Sequence, residues 1–200
     1  MTKDNGGPAA TKKILRNRLT QARKNLTATE RERQNIAVAD RCAKLVQEYS
    51  ADQIAAYHPL SEEPGGLHLL PALAQTAKTV LLPISAPAGE MLWSPYDASS
   101  PLAPGQLNVP EPTGPRRDWR ALLECRIMFL PALGSNSRGF RLGKGAGYYD
   151  RTLALLAGSG RPVPLLAAVL FDGEVTEDVP VESHDMPVDL IVTAAALHRV

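Results

Sequence analysis

The chain has 200 residues, of which 44% are hydrophobic and 22% are charged, and its formal net charge is +1. This composition is typical of a globular domain with a substantial core, and it excludes an intrinsically disordered chain. The small net charge excludes an overall field that would recruit nucleic acid or an anionic membrane, so any anion site must be local.

The N-terminal part of the chain predicts a tail and two helices. Residues 1–10 are polar and are expected to form a disordered tail, and residues 11–200 are expected to form a single domain. Residues 12–25 are predicted to be helical, with an apolar stripe of Leu15, Leu19, Ala22 and Leu26 and with the basic residues, Arg23 included, mostly off it. A capping box at Thr27-Ala-Thr-Glu30 predicts a second helix to about Tyr49. Its inward-facing residues are predicted to be Ile36, Ala39, Ala43 and Val46.

The rest of the chain alternates between strand-length and helical patterns. The predicted strands are the apolar runs Ile54–Tyr57, Thr79–Pro83, Ile127–Leu130, Leu165–Phe171 and Leu190–Ala194. Helical segments, Leu67–Ala77 and Tyr148–Ala157, lie between them. The predicted fold class is therefore α/β, with a mostly parallel sheet flanked by helices in one Rossmann-like, three-layer domain. Met91–Tyr96 is predicted as an edge strand, and residues 97–118, rich in Pro, Gly and Ser, as a long loop.

Targeting and covalent features are sparse. Cys42 and Cys125 lie far apart without a metal-binding spacing, so neither a zinc site nor a disulfide framework is expected. No stretch approaches the roughly 20 apolar residues of a membrane span, and the N-terminus lacks the apolar core of a signal peptide. We therefore expect a cytoplasmic protein with no membrane or nucleic-acid partner, and a monomer by default.

The most informative segment is the glycine-rich run Arg141-Leu-Gly-Lys-Gly-Ala-Gly-Tyr-Tyr-Asp-Arg151, which follows a predicted strand and enters a predicted helix. In α/β sheets, ligands bind where strand ends meet helix N-termini. Glycines allow backbone N–H groups to approach an anion, and Arg141, Lys144 and Arg151 add positive charge. The spacing fits neither Walker A nor the dinucleotide-binding fingerprint. We interpret the run as an anion-binding loop; a flexible turn would explain the glycines but not the cations.

Several segments in the same order resemble the 5-formyltetrahydrofolate cyclo-ligase family, also called 5,10-methenyltetrahydrofolate synthetases. They are Lys12–Arg16, Tyr57–Glu63, the EP turn Asn108–Pro112, the glycine signature Arg138–Arg151 and the closing segment Val179–Asp189. The resemblance implies an ATP- and magnesium-dependent cyclisation of 5-formyltetrahydrofolate to 5,10-methenyltetrahydrofolate. In that reaction the formyl oxygen takes the γ-phosphate of ATP, and N10 then displaces phosphate.

The resemblance also implies which residues form the site. ATP, as co-substrate, would contact Lys12, Lys13, Ile14, Leu15, Arg16, Arg141, Leu142, Gly143, Lys144, Gly145, Ala146, Gly147, Tyr148 and Tyr149. The reduced folate would contact His58, Glu63, Lys144, Gly145, Ala146, Gly147 and Tyr148. Asp150 and Asp185 would bind Mg²⁺, which prefers oxygen ligands, and the catalytic roles would fall to Arg141, Lys144 and Tyr148.

Structural alternatives exist for several of these residues. Lys12 and Arg16 share one helical face, which could simply be solvated. Asp150 could stabilise a helix N-terminus and Asp185 could be a turn residue. Of the adjacent Tyr148 and Tyr149, at most one can point straight into the core.

Two departures from the family pattern and two competing functions remain open at this level. Asn136 stands where many relatives carry Asp, and Pro64-Gly65-Gly66 replaces an apolar residue, an acid and a threonine. The alternatives are another enzyme on a similar α/β scaffold, such as a sugar-phosphate isomerase, which would use the loop without ATP or magnesium, and a non-catalytic nucleotide-binding module.

Overall fold

A computed structural model describes residues 7–99, 102–105, 109–183 and 185–200. Its α-helices are α1 Pro8–Asn25, α2 Ala28–Glu48, α3 Leu69–Thr76 and α4 Tyr148–Ala157. Its strands are β1 Gln53–Ala55, β2 Thr79–Ser85, β3 Met91–Pro95, β4 Leu102–Pro104, β5 Pro110–Pro112, β6 Ile127–Pro131, β7 Gly134–Ser135, β8 Arg141–Leu142, β9 Leu165–Val169, β10 Leu190–Val192 and β11 Leu197–Arg199. Within these ranges, no helix combines the length and apolar character that crossing a bilayer requires.

Seven of the strands form one sheet in the order β11-β10-β9-β6-β1-β2-β3. The strands from β10 to β2 pair in parallel, while β11 and the predicted edge strand β3 are antiparallel at the two edges. The chain runs outward from β1 to β2 and, in the other direction, from β6 to β9 and β10. A topological switch point, where ligands of open α/β sheets bind, therefore lies beyond the carboxyl ends of β1 and β6.

Both faces of the sheet are covered, which makes three layers. On one face, strand residues such as Ile54 and Phe129 pack under α2 and α3. On the other face, Met128 and Leu130 pack under α4 and the short 3-10 helix Trp119–Glu124. Because both faces are buried, the strands read as continuous apolar runs, and the predicted fold class is confirmed.

Helix α1 differs from its prediction at both its start and its buried face. It begins at Pro8, so residues 8–10, which were assigned to the tail, form its first turn; residues 1–6 lie outside the described ranges. Proline suits this position because the first helical N–H groups have no partner within the helix. The predicted stripe is wrong at Ala22, which is exposed, while Arg23 is buried. Arg23 can be buried because the carboxylate of Glu174 neutralises its charge; Nε of Arg23 lies 2.6 Å from Oε1 of Glu174.

The buried face of α2 also differs from the prediction. Ile36 is 50% exposed and Ala43 only half-buried, whereas Gln34 and Asn35 are buried. Their amide oxygens accept hydrogen bonds from loop N–H groups, that of Asp172 at 2.8 Å and that of Gly65 at 3.0 Å. This polar part of the face holds loops in place, a role that apolar periodicity does not predict.

The predicted long loop 97–118 contains regular structure. Strands β4 and β5 form an antiparallel pair in which Ala103 lies opposite Glu111, and Arg117 exchanges two backbone hydrogen bonds of 2.8 Å with Trp93. The prolines of this segment were the reason for predicting a loop, but short edge strands tolerate proline. Of the predicted EP turn, Asn108 lies outside the described residues, while Pro110–Pro112 is β5 itself.

The two cysteines are free and buried, as the absence of a pairing pattern suggested. Burial raises the pKa of the Cys125 thiol to about 12. A thiol that stays protonated at neutral pH is a poor nucleophile and metal ligand, so Cys125 acts as a small core residue.

Candidate active site

Two cavities meet at the switch point, one on each side of the glycine loop. The first has a volume of about 370 Å³ and the second about 230 Å³. Both are lined by Arg141, Gly143, Gly145, Gly147 and Asp150. The glycine loop therefore borders both cavities, which meet along it.

The first cavity is mostly apolar and aromatic. Its lining includes Pro83, Met91, Val109, Tyr148 and Tyr149, with the polar exceptions His58, Glu63, Glu111 and Lys144 among them. An apolar cleft with a few placed polar groups suits a flat, partly aromatic ligand.

The second cavity is charged. Helix α1 contributes Lys12 and Arg16, and the closing segment contributes Glu182 and Asp185. The i, i+4 spacing of the two cations on one helical face is thus realised, as predicted. By contrast, Lys13 and Ile14 are exposed and Leu15 packs in a small core cluster, so their side chains line neither cavity.

The glycine loop is fixed by arginines on both sides. Gly145 and Gly147 have φ of 100° and 73°, in the left-handed region that favours glycine. Nε of Arg16 donates to the carbonyl of Gly143 at 2.9 Å. Arg151 donates to the carbonyl of Ala146 at 3.1 Å. These contacts hold the loop in place.

Arg141 occupies the junction of the two cavities. Its side chain is only 5% exposed, and its guanidinium donates to the carboxylate of Asp150 and, at 3.2 Å, to the carbonyl of Met186. Burial lowers the pKa of this guanidinium, although Asp150 opposes the shift. Arginine still keeps its charge at neutral pH, so a fixed cation stands between the two cavities.

Lys12 joins α1 to the closing segment. Its Nζ lies 2.6 Å from Oε2 of Glu182 and 2.9 Å from Oδ2 of Asp185. Desolvation opposes its charge, but these two hydrogen bonds prevail and raise the pKa of Lys12. The lysine is thus paired with both acids across one edge of the second cavity.

Glu63 is paired in the same way on the other side of the loop. Its Oε1 lies 2.7 Å from Nζ of Lys144, and its Oε2 accepts from the N–H of Leu60 at 2.9 Å. The structure therefore brings together two residues that were both predicted to contact the folate.

The Pro64-Gly65-Gly66 departure forms a rigid turn below Glu63. The hydroxyl of Tyr57 donates to the carbonyl of Pro64 at 2.6 Å. Gly65 and Gly66 have φ of 91° and 43°, and a Cβ on Gly65 would lie 2.7 Å from Cβ of Leu69. This chain therefore builds the loop with glycines where backbone conformation and space require them.

Asn136 shapes the turn before the glycine loop. It is buried, and its Oδ1 accepts from the N–H groups of Arg138 at 3.1 Å and Phe140 at 3.0 Å. It lines neither cavity. The second departure is therefore placed in the β7–β8 turn, directly after Ser135, the residue that lies opposite Arg141.

His58, Tyr148 and Tyr149 complete the first cavity. Desolvation lowers the pKa of His58, and its buried Nδ1 has no partner among the described residues. Tyr149 packs from α4 against the core cluster that contains Met128 and Leu130, and burial raises its pKa. The guanidinium of Arg151 lies over the ring of Tyr148, with its Cζ 5.2 Å from the ring centroid. Both tyrosines line the cavity. Of the two, Tyr149 is the one that also packs on the core.

The predicted magnesium ligands, Asp150 and Asp185, line the second cavity together. Among the described residues, no three His, Cys, Asp or Glu side chains converge as a metal cluster. Two carboxylates at one cavity nevertheless fit Mg²⁺, which takes its remaining ligands from phosphate oxygens and water. The donor set therefore suits a metal that arrives with a nucleotide.

Sequence reasoning missed two acids of the site. Glu111 lines the first cavity and Glu182 the second. Glu111 stands in the EP segment, whose position between two prolines was a usable signal, whereas nothing in the local sequence distinguishes Glu182 from a surface acid.

Comparisons with known proteins show which family this chain resembles. The model of the 5-formyltetrahydrofolate cyclo-ligase family matches residues 8–194. A 5-formyltetrahydrofolate cyclo-ligase of Mycolicibacterium smegmatis is 32% identical over 187 residues, covering 91% of this chain and 93% of the relative. One from Escherichia coli is 29% identical over 178 residues, covering 88% and 96%. The structure of Aquifex aeolicus 5,10-methenyltetrahydrofolate synthetase superposes with a TM-score of 0.78 at 27% identity, covering 94% of this chain and 92% of that one.

Proposed function

The chain belongs to the 5-formyltetrahydrofolate cyclo-ligase family, and on that premise we propose that it converts 5-formyltetrahydrofolate to 5,10-methenyltetrahydrofolate with ATP as co-substrate. The observation that carries the proposal is the shared lining: one apolar and one charged cavity meet at Arg141 and the glycine loop. Two substrates, one in each cavity, would meet at these shared residues with a phosphate next to a formyl group.

The folate is assigned to the first cavity. The rings of Tyr148 and Tyr149 would pack on its fused ring system, and Glu63 and Lys144 would provide polar contacts, with His58 beside them. The triphosphate is assigned to the second cavity, where Lys12, Arg16 and the loop N–H groups supply the positive charge.

The chemistry starts from a formyl oxygen that is a poor leaving group. Its attack on the γ-phosphorus forms an O–P bond while the bond to the β-phosphate oxygen breaks, which releases ADP. N10 then attacks the activated carbon and loses its proton, and phosphate departs with the former formyl oxygen. Such a transfer asks the protein for positioning and for neutralisation of negative charge, which Arg141 and Lys144 would provide.

Magnesium would neutralise charge on the phosphate oxygens when it is bound. Asp150 and Asp185 would hold it, and both carboxylates now pair with cations, Arg141 and Lys12. Nucleotide and metal would therefore replace these internal pairs and leave both cations able to bind phosphate, while Nη1 of Arg141 keeps its hydrogen bond to the carbonyl of Met186.

The direct test of this activity mixes the purified protein with 5-formyltetrahydrofolate, magnesium and ATP. We expect the strongly absorbing methenyl product to form, with one ADP released for each product. No rise in absorbance, or a rise that does not depend on ATP, would overturn the proposal.

Replacing Asp150 with asparagine tests the metal assignment. We expect the magnesium concentration for half-maximal rate to rise by at least about 10-fold, because a carboxylate ligand is lost, and added magnesium should partly restore turnover. Magnesium titration of the initial rate measures this. The exposed Asp52→Asn, which removes the carboxylate 2.8 Å from Lys78, is the matched control. An unchanged magnesium dependence in Asp150→Asn would remove Asp150 from the metal site.

A further inference from the structure

Glu111 is a carboxylate of the first cavity to which neither the sequence nor the proposed chemistry assigns a role. It lies in the middle of β5, its residue is 9% exposed, and it lines the cavity. Among the ion pairs of the described residues, none includes Glu111. A buried carboxylate without a cation is costly unless it is well hydrogen-bonded or awaits a partner.

The local structure makes room for this carboxylate and uses only part of its capacity. Oε1 of Glu111 accepts from the N–H of Ser85 at 2.8 Å, at the end of β2. A Cβ on Gly105 would lie 2.3 Å from Cδ of Glu111, so the facing strand leaves space where the carboxylate sits. A carboxylate has about four acceptor sites, and this backbone N–H takes one of them. The N–H of Ser85 thus positions the carboxylate of Glu111, and the remaining acceptor sites are available for a ligand.

The other two acids of the cavity, Glu63 and Asp150, differ from Glu111 in this respect. Glu63 lies 2.7 Å from Nζ of Lys144, and Asp150 accepts from the guanidinium of Arg141, so each is paired with a cation of the glycine signature. Of the three carboxylates, Glu111 is therefore the one that favours hydrogen-bond donors on the ligand.

We propose that Glu111 determines pterin specificity by accepting hydrogen bonds from the 2-amino group and N3–H of the reduced folate. This inference rests on the proposed function. These two adjacent N–H donors match the two oxygens of a carboxylate, and such charge-assisted contacts are strong inside a protein. The formyl and ring carbonyl oxygens are acceptors, and the glutamate tail is anionic, so a carboxylate repels all of them. Glu111 thereby selects the orientation of the ring and turns its N5 side away from β5.

The test pairs one variant with one altered ligand. Calorimetric titration of the full chain would compare the Kd of 5-formyltetrahydrofolate with that of its 2-desamino-2-methyl analogue. For the wild type we expect the analogue to bind about 10- to 100-fold more weakly, because the buried carboxylate loses one of its two donors, the 2-amino group. In Glu111→Gln the ratio of the two Kd values should fall to about 1 to 3. The amide oxygen of the glutamine would accept from the N–H of Ser85, which leaves its NH₂ group, a donor, facing the ligand.

The controls separate this role from a structural one. Glu90→Gln changes an exposed acid on the turn between β2 and β3 and should leave the wild-type ratio intact. If Glu111→Gln unfolds, Glu111→Asp takes its place; it keeps the charge at a greater distance, and an intermediate ratio is expected.

The outcomes are distinguishable. A wild-type ratio near 1, or a ratio that Glu111→Gln leaves unchanged, overturns the specificity role while the cyclo-ligase proposal stands. A wild type that binds neither ligand overturns both.

Discussion

Replacing Arg141 with alanine is expected to lower kcat/KM for methenyl formation by about 100- to 1000-fold, with most of the loss in kcat. The physical reason is position. The guanidinium is 5% exposed, is held by Asp150 and the carbonyl of Met186, and borders both cavities. A fixed cation at that point would stabilise charge on the transferred phosphoryl group without needing to move into place.

Steady-state kinetics with both substrates varied separates this role from simple binding. Arg141→Lys keeps the charge but cannot bridge Asp150 and Met186, so an intermediate loss is expected. Arg138→Ala is the matched control, because Arg138 lies in the same β-hairpin turn but is exposed, over the ring of Phe140. If Arg141→Ala raised KM for ATP alone and left kcat unchanged, Arg141 would be a binding residue and no more.

Replacing Arg23 with methionine is expected to destabilise the fold by about 3–5 kcal/mol, because it leaves Glu174 charged and buried. The two side chains are 3% and 5% exposed, and a second contact joins Nη2 of Arg23 to Oε2 of Glu174 at 2.8 Å. Nη2 also donates to the carbonyl of Ala132 at 2.5 Å, and Oε2 accepts from the N–H of Phe171 at 2.9 Å. The pair thus ties α1 to the loops that follow β6 and β9.

Urea denaturation of the single variants and of the double variant measures this effect. Glu174→Met should be similarly costly, and the double variant should recover part of the loss, because no lone charge remains buried. Arg18→Met is the control. It breaks an exposed pair, Arg18–Asp178, whose side chains are 56% and 62% exposed, and it should leave the midpoint nearly unchanged. A midpoint for Arg23→Met equal to that of Arg18→Met would contradict the account.

The elements with a strong local signal were predicted from the sequence. Five predicted strands are present because each is a short apolar run buried on both faces of the sheet, and α4 has the predicted bounds, Tyr148–Ala157. The glycine loop could also be placed, since its position between a strand and a helix defines the end of the sheet at which it lies. The cytoplasmic location, the monomeric state and the lack of a nucleic-acid partner stay predictions.

The features that depend on contacts between distant residues could not be predicted. Arg23 looks like part of a solvated basic face until Glu174, far along the chain, is placed beside it. Ile36 reads as a core residue, yet the loops that cover α2 need the amides of its neighbours. Glu111 gains its surroundings only when the β4–β5 pair brings it to the end of β2. In each case a tertiary partner changes what the local pattern favours.

The most direct test of the central claim follows the formyl oxygen. With ¹⁸O in the formyl group of 5-formyltetrahydrofolate, the protein, magnesium and ATP should produce the methenyl product together with inorganic phosphate that carries the label. That result means that the folate oxygen took the γ-phosphoryl group where the two cavities meet. Methenyl product accompanied by unlabelled phosphate, with the label in water, would contradict it.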